Sequence, residues 1–201
     1  MSRLVLGSAS PRRAALLRTL GVGFEIVASD LPEAAAAGES ADAFARRVAR
    51  EKGAAVARAV PGAWVLSADT IVVVDGAILG KPLDDGDARA MLQRLSGRTH
   101  EVVTAVALTA PGGALAAELL VRSAVAFRRL TPAEIDAYVA TGEPADKAGA
   151  YAIQGGAAGF VRRVSGSYTN VVGLPIDEVR EVLARHALLP AAPGPGAPRA
   201  P

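Results

Sequence analysis

Apolar runs and amphipathic stretches alternate along the first part of the chain. Residues 3–6 form a short apolar run typical of a buried strand, and residues 64–74 form the strongest strand pattern of the sequence. Between them, Ser10 followed by Pro11 marks a helix start, because serine is a favoured N-cap and proline a favoured first helical residue. The predicted elements of this part are strand 3–6, helix 11–20, strand 24–29, helix 41–59, strand 64–74, strand 77–79 and helix 87–95.

In the second part, two long strands follow each other directly. Residues 101–108 and 115–127 are strand-like, and the proline and glycines at 111–113 predict a hairpin between them. The remaining predicted elements are a helix from the capping box at Thr131 to Thr141, strand 160–164 and helix 175–188. We therefore expect an α/β fold with a mixed, elongated sheet flanked by helices. Residues 1–189 are expected to form one domain, and the Pro-, Gly- and Ala-rich residues 190–201 a disordered tail.

Composition excludes several classes of protein. Hydrophobic residues make up 51% of the chain and aromatics only 4%, so the core must be aliphatic and the chain as a whole is not disordered. The absence of cysteine excludes disulfides, and two histidines do not provide a histidine-rich zinc site. A formal charge of +2 does not fit a protein that coats nucleic acid. No signal peptide or membrane span is predicted, so we expect a cytoplasmic protein without stable binding to nucleic acids or membranes.

Lysine is scarce in this chain. Of the 22 Lys and Arg residues, only Lys52, Lys81 and Lys147 are lysines. Arginine and lysine are not interchangeable, because the ammonium group is a compact point charge whereas the guanidinium group is a planar fork. Each retained lysine therefore indicates a candidate site for a compact positive charge.

The loop between the first strand and the first helix has the composition of an anion site. It carries two hydroxyls, Ser8 and Ser10, and two guanidinium groups, Arg12 and Arg13, at a helix N-terminus. Helix N-termini offer unpaired N–H groups and the positive end of the helix dipole to an anion. The alternative is that Ser10 only caps the helix while both arginines lie in solvent.

Asp69 stands within the most apolar strand of the chain. Aspartate is depleted from strands, and a buried carboxylate is costly unless it is paired or binds a metal. By strand alternation Asp69 shares a face with Ser67 and Ile71, whereas Thr70 points to the other face. The functional interpretation is a reactive carboxylate, and the alternative is a local break between two strands.

Two further segments carry isolated polar residues among turn-forming ones. Lys81 follows the predicted hairpin between Gly80 and Pro82, without the sequence of a P-loop. Lys147 and Gln154 lie in a glycine-rich segment, where lysine suits a phosphate and glutamine can read the edge of a base. Each segment taken alone is equally compatible with a plain surface turn. Together with the helix start they suggest a nucleoside triphosphate, with Glu33 and Asp69 available to bind its magnesium.

Six segments of the sequence resemble the motifs of one protein family. In order along the chain they are Leu6–Arg13, Ser67–Thr70, Gly80–Pro82, Leu95–His100, Asp146–Gly155 and Asn170–Pro175. In this order they resemble the Maf family of nucleotide pyrophosphatases, over nearly the whole chain. The resemblance implies hydrolysis of a nucleoside triphosphate to the monophosphate and pyrophosphate in the cytoplasm. It also implies a divalent metal, with Mg²⁺ expected and Mn²⁺ or Co²⁺ as alternatives, and two lobes around a cleft in a fold related to inosine triphosphatases.

The resemblance also implies roles for individual residues. Asp69 matches the proton acceptor, and Arg12, Thr70 and Gln154 match positions that set base specificity. The residues expected to hold the phosphates are Ser8, Ser10, Arg13, Lys52, Lys81 and Lys147, and those expected to hold the metal are Glu33 and Asp69.

Gln154 is also the basis for the expected substrate. The sequence around it is similar to the branch of the family acting on dTTP and UTP, rather than the branch acting on 7-methyl-GTP. Modified pyrimidine nucleotides are expected as further substrates. Three alternatives are left open: a 7-methyl-GTP pyrophosphatase of the same family, a nucleotide-binding regulator of cell division, and a homodimeric assembly.

Overall fold

The protein folds around one seven-stranded sheet. The structure, a computed structural model, describes residues 2–29, 31 and 33–190. Along the sheet the strands run in the order β2-β1-β3-β5-β6-β7, and β4 pairs with the far end of β3. Their bounds are β1 Leu4–Leu6, β2 Glu25–Ile26, β3 Trp64–Val74, β4 Ala77–Leu79, β5 Thr99–Thr109, β6 Leu115–Phe127 and β7 Val161–Ser165. The pairs β1–β2 and β1–β3 are parallel and all others are antiparallel, which confirms the predicted mixed sheet.

Six helices flank the sheet within the described residues. They are α1 Pro11–Arg18, α2 Ala41–Ala59, α3 Asp85–Leu95, α4 Pro132–Val139, α5 Tyr168–Val172 and α6 Ile176–Arg185. The predicted N-caps are confirmed, since Ser10 accepts the N–H of Arg13 and Thr131 forms a capping box with Glu134. In the part of the chain that the structure describes, no helix combines the length and apolarity needed to cross a bilayer.

The alternation of β3 distributes its side chains between two faces. Ile71 and Val73 pack against α2, whereas Leu66 and Ala68 pack against α1 and α6 on the other face. Further along that second face, Val72 joins a separate core cluster with α3 and α4. Residues 69–72 at the middle of β3 line a cleft.

The bounds of several elements differ from the predicted ones. Strand β2 is only two residues long, shorter than the predicted 24–29, and α3 begins two residues earlier than expected because Asp84 caps it. Helix α5 was not predicted at all. Most of the predicted tail, residues 191–201, lies outside the described residues.

Candidate functional site

A cleft of about 670 Å³ opens above the middle of β3. Five cationic and three acidic side chains line it, so the cleft carries a surplus of positive charge suited to a polyanion. All the candidate residues from the sequence line this one cleft: Ser8, Ser10, Arg12, Arg13, Glu33, Lys52, Asp69, Thr70, Lys81, Lys147 and Gln154.

The β1–α1 loop forms one wall of the cleft. Ser8 Oγ accepts the N–H of Ser10 at 3.2 Å, and Ser10 Oγ in turn caps α1 by accepting the N–H of Arg13 at 3.4 Å. The first turn of α1 contains no acidic residue that would offset the positive end of the helix dipole. The loop therefore presents a helix N-terminus and serine hydroxyls to the cleft, as predicted.

Arg13 is held by the protein itself. Its guanidinium donates to Ser8 Oγ at 3.1 Å, to Thr70 Oγ1 at 3.0 Å and to the carbonyl of Gly173 at 2.9 Å. Burial lowers the pKa of Arg13, while the charge of Asp69 opposes that shift. These contacts tie the β1–α1 loop, β3 and the end of α5 together. Direct contact of Arg13 with phosphate would require exchanging one of them.

Lys52 joins the two acidic residues of the site. Its Nζ lies 2.8 Å from Asp69 Oδ1 and 2.7 Å from Glu33 Oε1. Asp69 is only 3% exposed and faces α2, as the alternation predicts, which brings it over the buried side chain of Lys52. Burial raises the pKa of Glu33, but the hydrogen bond and charge of Lys52, aided by Lys81 and Arg13, outweigh it and leave the pKa below its ordinary value.

The acidic pair is compatible with a metal that is shared with a substrate. Among the described residues no group of three or more metal-ligating side chains occurs, so these residues do not form a closed metal cage there. Magnesium is commonly bound by one or two carboxylates with the remaining positions filled by phosphate oxygens and water. Glu33 and Asp69, brought together by Lys52, are a donor set of that kind.

The other two lysines, Lys81 and Lys147, also line the cleft. Lys81 is largely exposed, with Nζ 3.9 Å from Glu33 Oε2. Lys147 forms an ion pair with Asp146, which lowers the pKa of that carboxyl. The two segments are joined, because Gly149 donates its N–H to the carbonyl of Gly80 at 2.9 Å. Gly149 has φ +67 and packs onto Val72, so a side chain there would be strained and crowded.

Gln154 lies in a turn that also lines the cleft. The N–H of Gly155 donates to the carbonyl of Ala152 at 3.0 Å, which places Ile153 and Gln154 at the centre of the turn. Ile153 is buried and Gln154 is exposed to the cleft. The glutamine is therefore free to contact a ligand.

Several residues that support the site were not identified from the sequence. Thr104 lies opposite Thr70 across β3 and β5, and the two hydroxyls are 3.0 Å apart. Thr104 also donates to the carbonyl of Asn170 in α5. His100 Nε2 lies 2.8 Å from the hydroxyl of Tyr151. Thr104 and His100 are polar residues within an apolar strand, β5, and this pattern could have identified them from the sequence.

The chain is similar to proteins of one family along most of its length. A family model described as Maf-like protein matches residues 3–186. Relatives named dTTP/UTP pyrophosphatase include that of Geobacter sulfurreducens, 54% identical over 91% of this chain and 96% of the relative. Another, from Anaeromyxobacter dehalogenans, is 55% identical over 91% of this chain and 93% of the relative.

A solved structure confirms the fold class. A HAM1 protein from Coxiella burnetii is similar with a TM-score of 0.51 and 16% identity, covering 92% of this chain and 100% of that chain. At this identity the likeness concerns the fold alone.

Proposed function

The chain belongs to the Maf family, and we propose that it is a nucleoside triphosphate pyrophosphatase that hydrolyses dTTP and UTP to the monophosphate and pyrophosphate. Relatives about half identical over nearly their whole length carry that activity in their names. The observation that carries the proposal is the single cleft in which a buried carboxylate, a helix N-terminus, three lysines and an exposed glutamine face one another. The proposed setting is the cytoplasm.

In the proposed reaction Asp69 accepts a proton from the attacking water. Lys52 engages Oδ1 of Asp69 and fixes the orientation of the carboxylate, leaving Oδ2 as the proton acceptor. The water oxygen forms a bond to the α-phosphorus while the bond from that phosphorus to the α–β bridging oxygen breaks. Pyrophosphate leaves with the electron pair of that bond, and the monophosphate remains with the nucleoside.

The charged side chains of the cleft hold the triphosphate for this attack. Lys81, Lys147 and the Ser8–Arg13 loop all line the cleft, and we assign the phosphate chain to the space among them. Glu33 and Asp69 would hold a divalent cation, Mg²⁺ in the first instance, with Mn²⁺ or Co²⁺ as alternatives. Such a cation would neutralise the charge that develops on the phosphate oxygens.

Base selection is assigned to the far end of the cleft. The exposed amide of Gln154 has both a donor and an acceptor, which matches the N–H and carbonyl groups on the imide edge of thymine and uracil. Arg12 lines the same cleft, and Thr70 is held by Arg13 and Thr104 at its floor. If this assignment holds, Gln154→Glu should impair pyrimidine substrates more than purine ones.

The proposal is tested with a panel of nucleoside triphosphates, including 7-methyl-GTP, in the presence of Mg²⁺. We expect release of pyrophosphate, with dTTP and UTP as the best substrates and a loss of at least about a hundredfold in kcat for Asp69→Asn. Asp75→Asn is the matched control, because Asp75 lies in the β3–β4 turn, half exposed and paired with Arg98. Release of orthophosphate, a preference for 7-methyl-GTP, or equal rates for Asp69→Asn and wild type would contradict the proposal.

A further inference from the structure

We propose that Glu143 is a positioning residue for base recognition, because its carboxylate holds the turn that presents Gln154 to the cleft. The inference rests on the proposed function in that it assigns base contact to Gln154. It concerns a residue outside the cleft lining, on the short 3₁₀ turn Glu143–Asp146 that follows α4.

Two hydrogen bonds fix the backbone on either side of Gln154. Two residues before it, Ala152 donates its N–H to the hydroxyl oxygen of Tyr138 at 3.0 Å. Two residues after it, Gly156 donates its N–H to Glu143 Oε2 at 2.9 Å. Tyr138 belongs to α4 and Glu143 to the 3₁₀ turn that follows it. One continuous segment of the chain therefore holds both ends of the Gln154 turn.

The space around Gly155 shows how closely the carboxylate is packed against this turn. A Cβ atom at Gly155 would lie 1.7 Å from Glu143 Oε1 and 2.5 Å from its carboxyl carbon. The backbone of Gly155 is at φ −116, outside the left-handed region, and the space taken by Glu143 is what a side chain there would meet. The carboxylate of Glu143 therefore occupies the volume that a side chain at Gly155 would take.

The charge of Glu143 acts on the N–H of Gly156 and on the hydroxyl of Tyr138. Among the described residues, no lysine or arginine lies within ion-pair distance of the Glu143 carboxylate. Its hydrogen bond from the N–H of Gly156 has an ionised acceptor, and such a bond is stronger than one between neutral groups. The main chain of Glu143 is itself held, because its N–H donates to Thr141 Oγ1 at 3.2 Å and its carbonyl accepts from Lys147 Nζ at 3.4 Å. Burial, together with the nearby carboxylate of Glu143, raises the pKa of Tyr138, so the other anchoring hydroxyl stays protonated.

If Glu143 acts through Gln154, its loss should weaken binding of the base without slowing the chemical step. For Glu143→Ala we expect KM for the best substrate to rise about tenfold while kcat stays within about threefold of wild type. Glu143→Gln keeps an acceptor oxygen and should restore most of the affinity. The double variant Glu143→Ala with Gln154→Ala should be no worse than Gln154→Ala alone. Glu181→Ala, an exposed position on α6, is the control for removal of a glutamate and should leave both constants unchanged.

A second variant keeps the inference testable if Glu143→Ala disturbs folding. Gly155→Ala leaves Glu143 in the sequence but displaces its carboxylate, so we expect a similar rise in KM. Adding Glu143→Ala to Gly155→Ala should cause no further rise in KM. Amide hydrogen exchange at Gly156 should become faster in Glu143→Ala, and this measurement needs no substrate.

The outcomes separate this inference from the proposed function. Multiplicative effects of Glu143→Ala and Gln154→Ala, a loss in kcat with KM unchanged, or unaltered exchange at Gly156 would overturn the positioning role even if dTTP is hydrolysed. If wild type prefers a different base, the proposed substrate is wrong, yet the coupling between Glu143 and Gln154 is still measured on that substrate. If wild type hydrolyses no triphosphate, exchange at Gly156 still decides whether the carboxylate holds the turn.

Discussion

His100 provides a quantitative test of the packing beneath the cleft. Its ring is 2% exposed and lies edge-on to Phe127 and Tyr151, with Nε2 hydrogen-bonded to the hydroxyl of Tyr151. Burial lowers the pKa of His100 from 6.5 to about 4. Below pH 6.5 the unfolded chain binds a proton at this histidine that the folded protein does not bind. Stability is therefore fully present above pH 6.5 and falls as the pH is lowered towards 4.

The size of this loss follows from the shift in pKa. One pKa unit corresponds to about 1.4 kcal/mol, so between pH 7 and pH 4 the histidine should remove about 3 kcal/mol from the free energy of unfolding. Other groups titrate in the same range, and they are removed by comparison with His100→Gln, which has no titratable group there.

Urea unfolding followed by circular dichroism at several pH values measures the effect. We expect wild type to lose about 3 kcal/mol more than His100→Gln between pH 7 and pH 4. Any constant cost of replacing the ring cancels in this difference. If the two proteins lose stability in parallel over this range, His100 is not held neutral by burial and the reasoning fails.

Three further substitutions test the site and its supports. Gly53→Ala should lower the free energy of unfolding in urea by about 1–3 kcal/mol, because the new Cβ would lie 2.7 Å from Ser67 Oγ and Thr109 Oγ1. Alanine has the higher helix propensity, so a gain in stability would contradict this packing argument. Lys52→Met leaves the carboxylates of Glu33 and Asp69 without the ammonium group that pairs with both. In the presence of a chelator, its free energy of unfolding should be about 3 kcal/mol below that of wild type, and added Mg²⁺ should restore it. Unchanged stability in chelator would count against the ion pair. Arg13→Lys cannot reproduce three hydrogen bonds from one planar group, so kcat/KM should fall at least about tenfold, and wild-type kinetics would argue against its anchoring role.

Local signals in the sequence were sufficient for most of the fold. Helices α1, α2 and α4 begin where a capping side chain stands, since Ser10, Ser40 and Thr131 each accept a backbone N–H in the first turn. Capping depends on residues three positions apart, so it can be inferred without tertiary structure. The opposite faces of Asp69 and Thr70 likewise follow from strand alternation alone.

Features that depend on distant contacts were not predictable in the same way. Helix α5 has only five residues, and it is held in place by Asn170, whose side-chain amide donates to the carbonyl of Val102 and to Ser123 Oγ. A helix this short has little stability of its own. Lys52 carries no local pattern within α2, and its role becomes visible only when α2 packs over Asp69. Such pairings come from topology, which the local sequence does not encode.

In the proposed reaction, water attacks the α-phosphorus of a pyrimidine nucleoside triphosphate in this cleft. Hydrolysis of dTTP in ¹⁸O-enriched water, followed by mass spectrometry of both products, tests it directly. Attack at the α-phosphorus predicts that the label enters the thymidine monophosphate and that the pyrophosphate is unlabelled. Label in the pyrophosphate would show attack at the β-phosphorus and would contradict the proposed reaction.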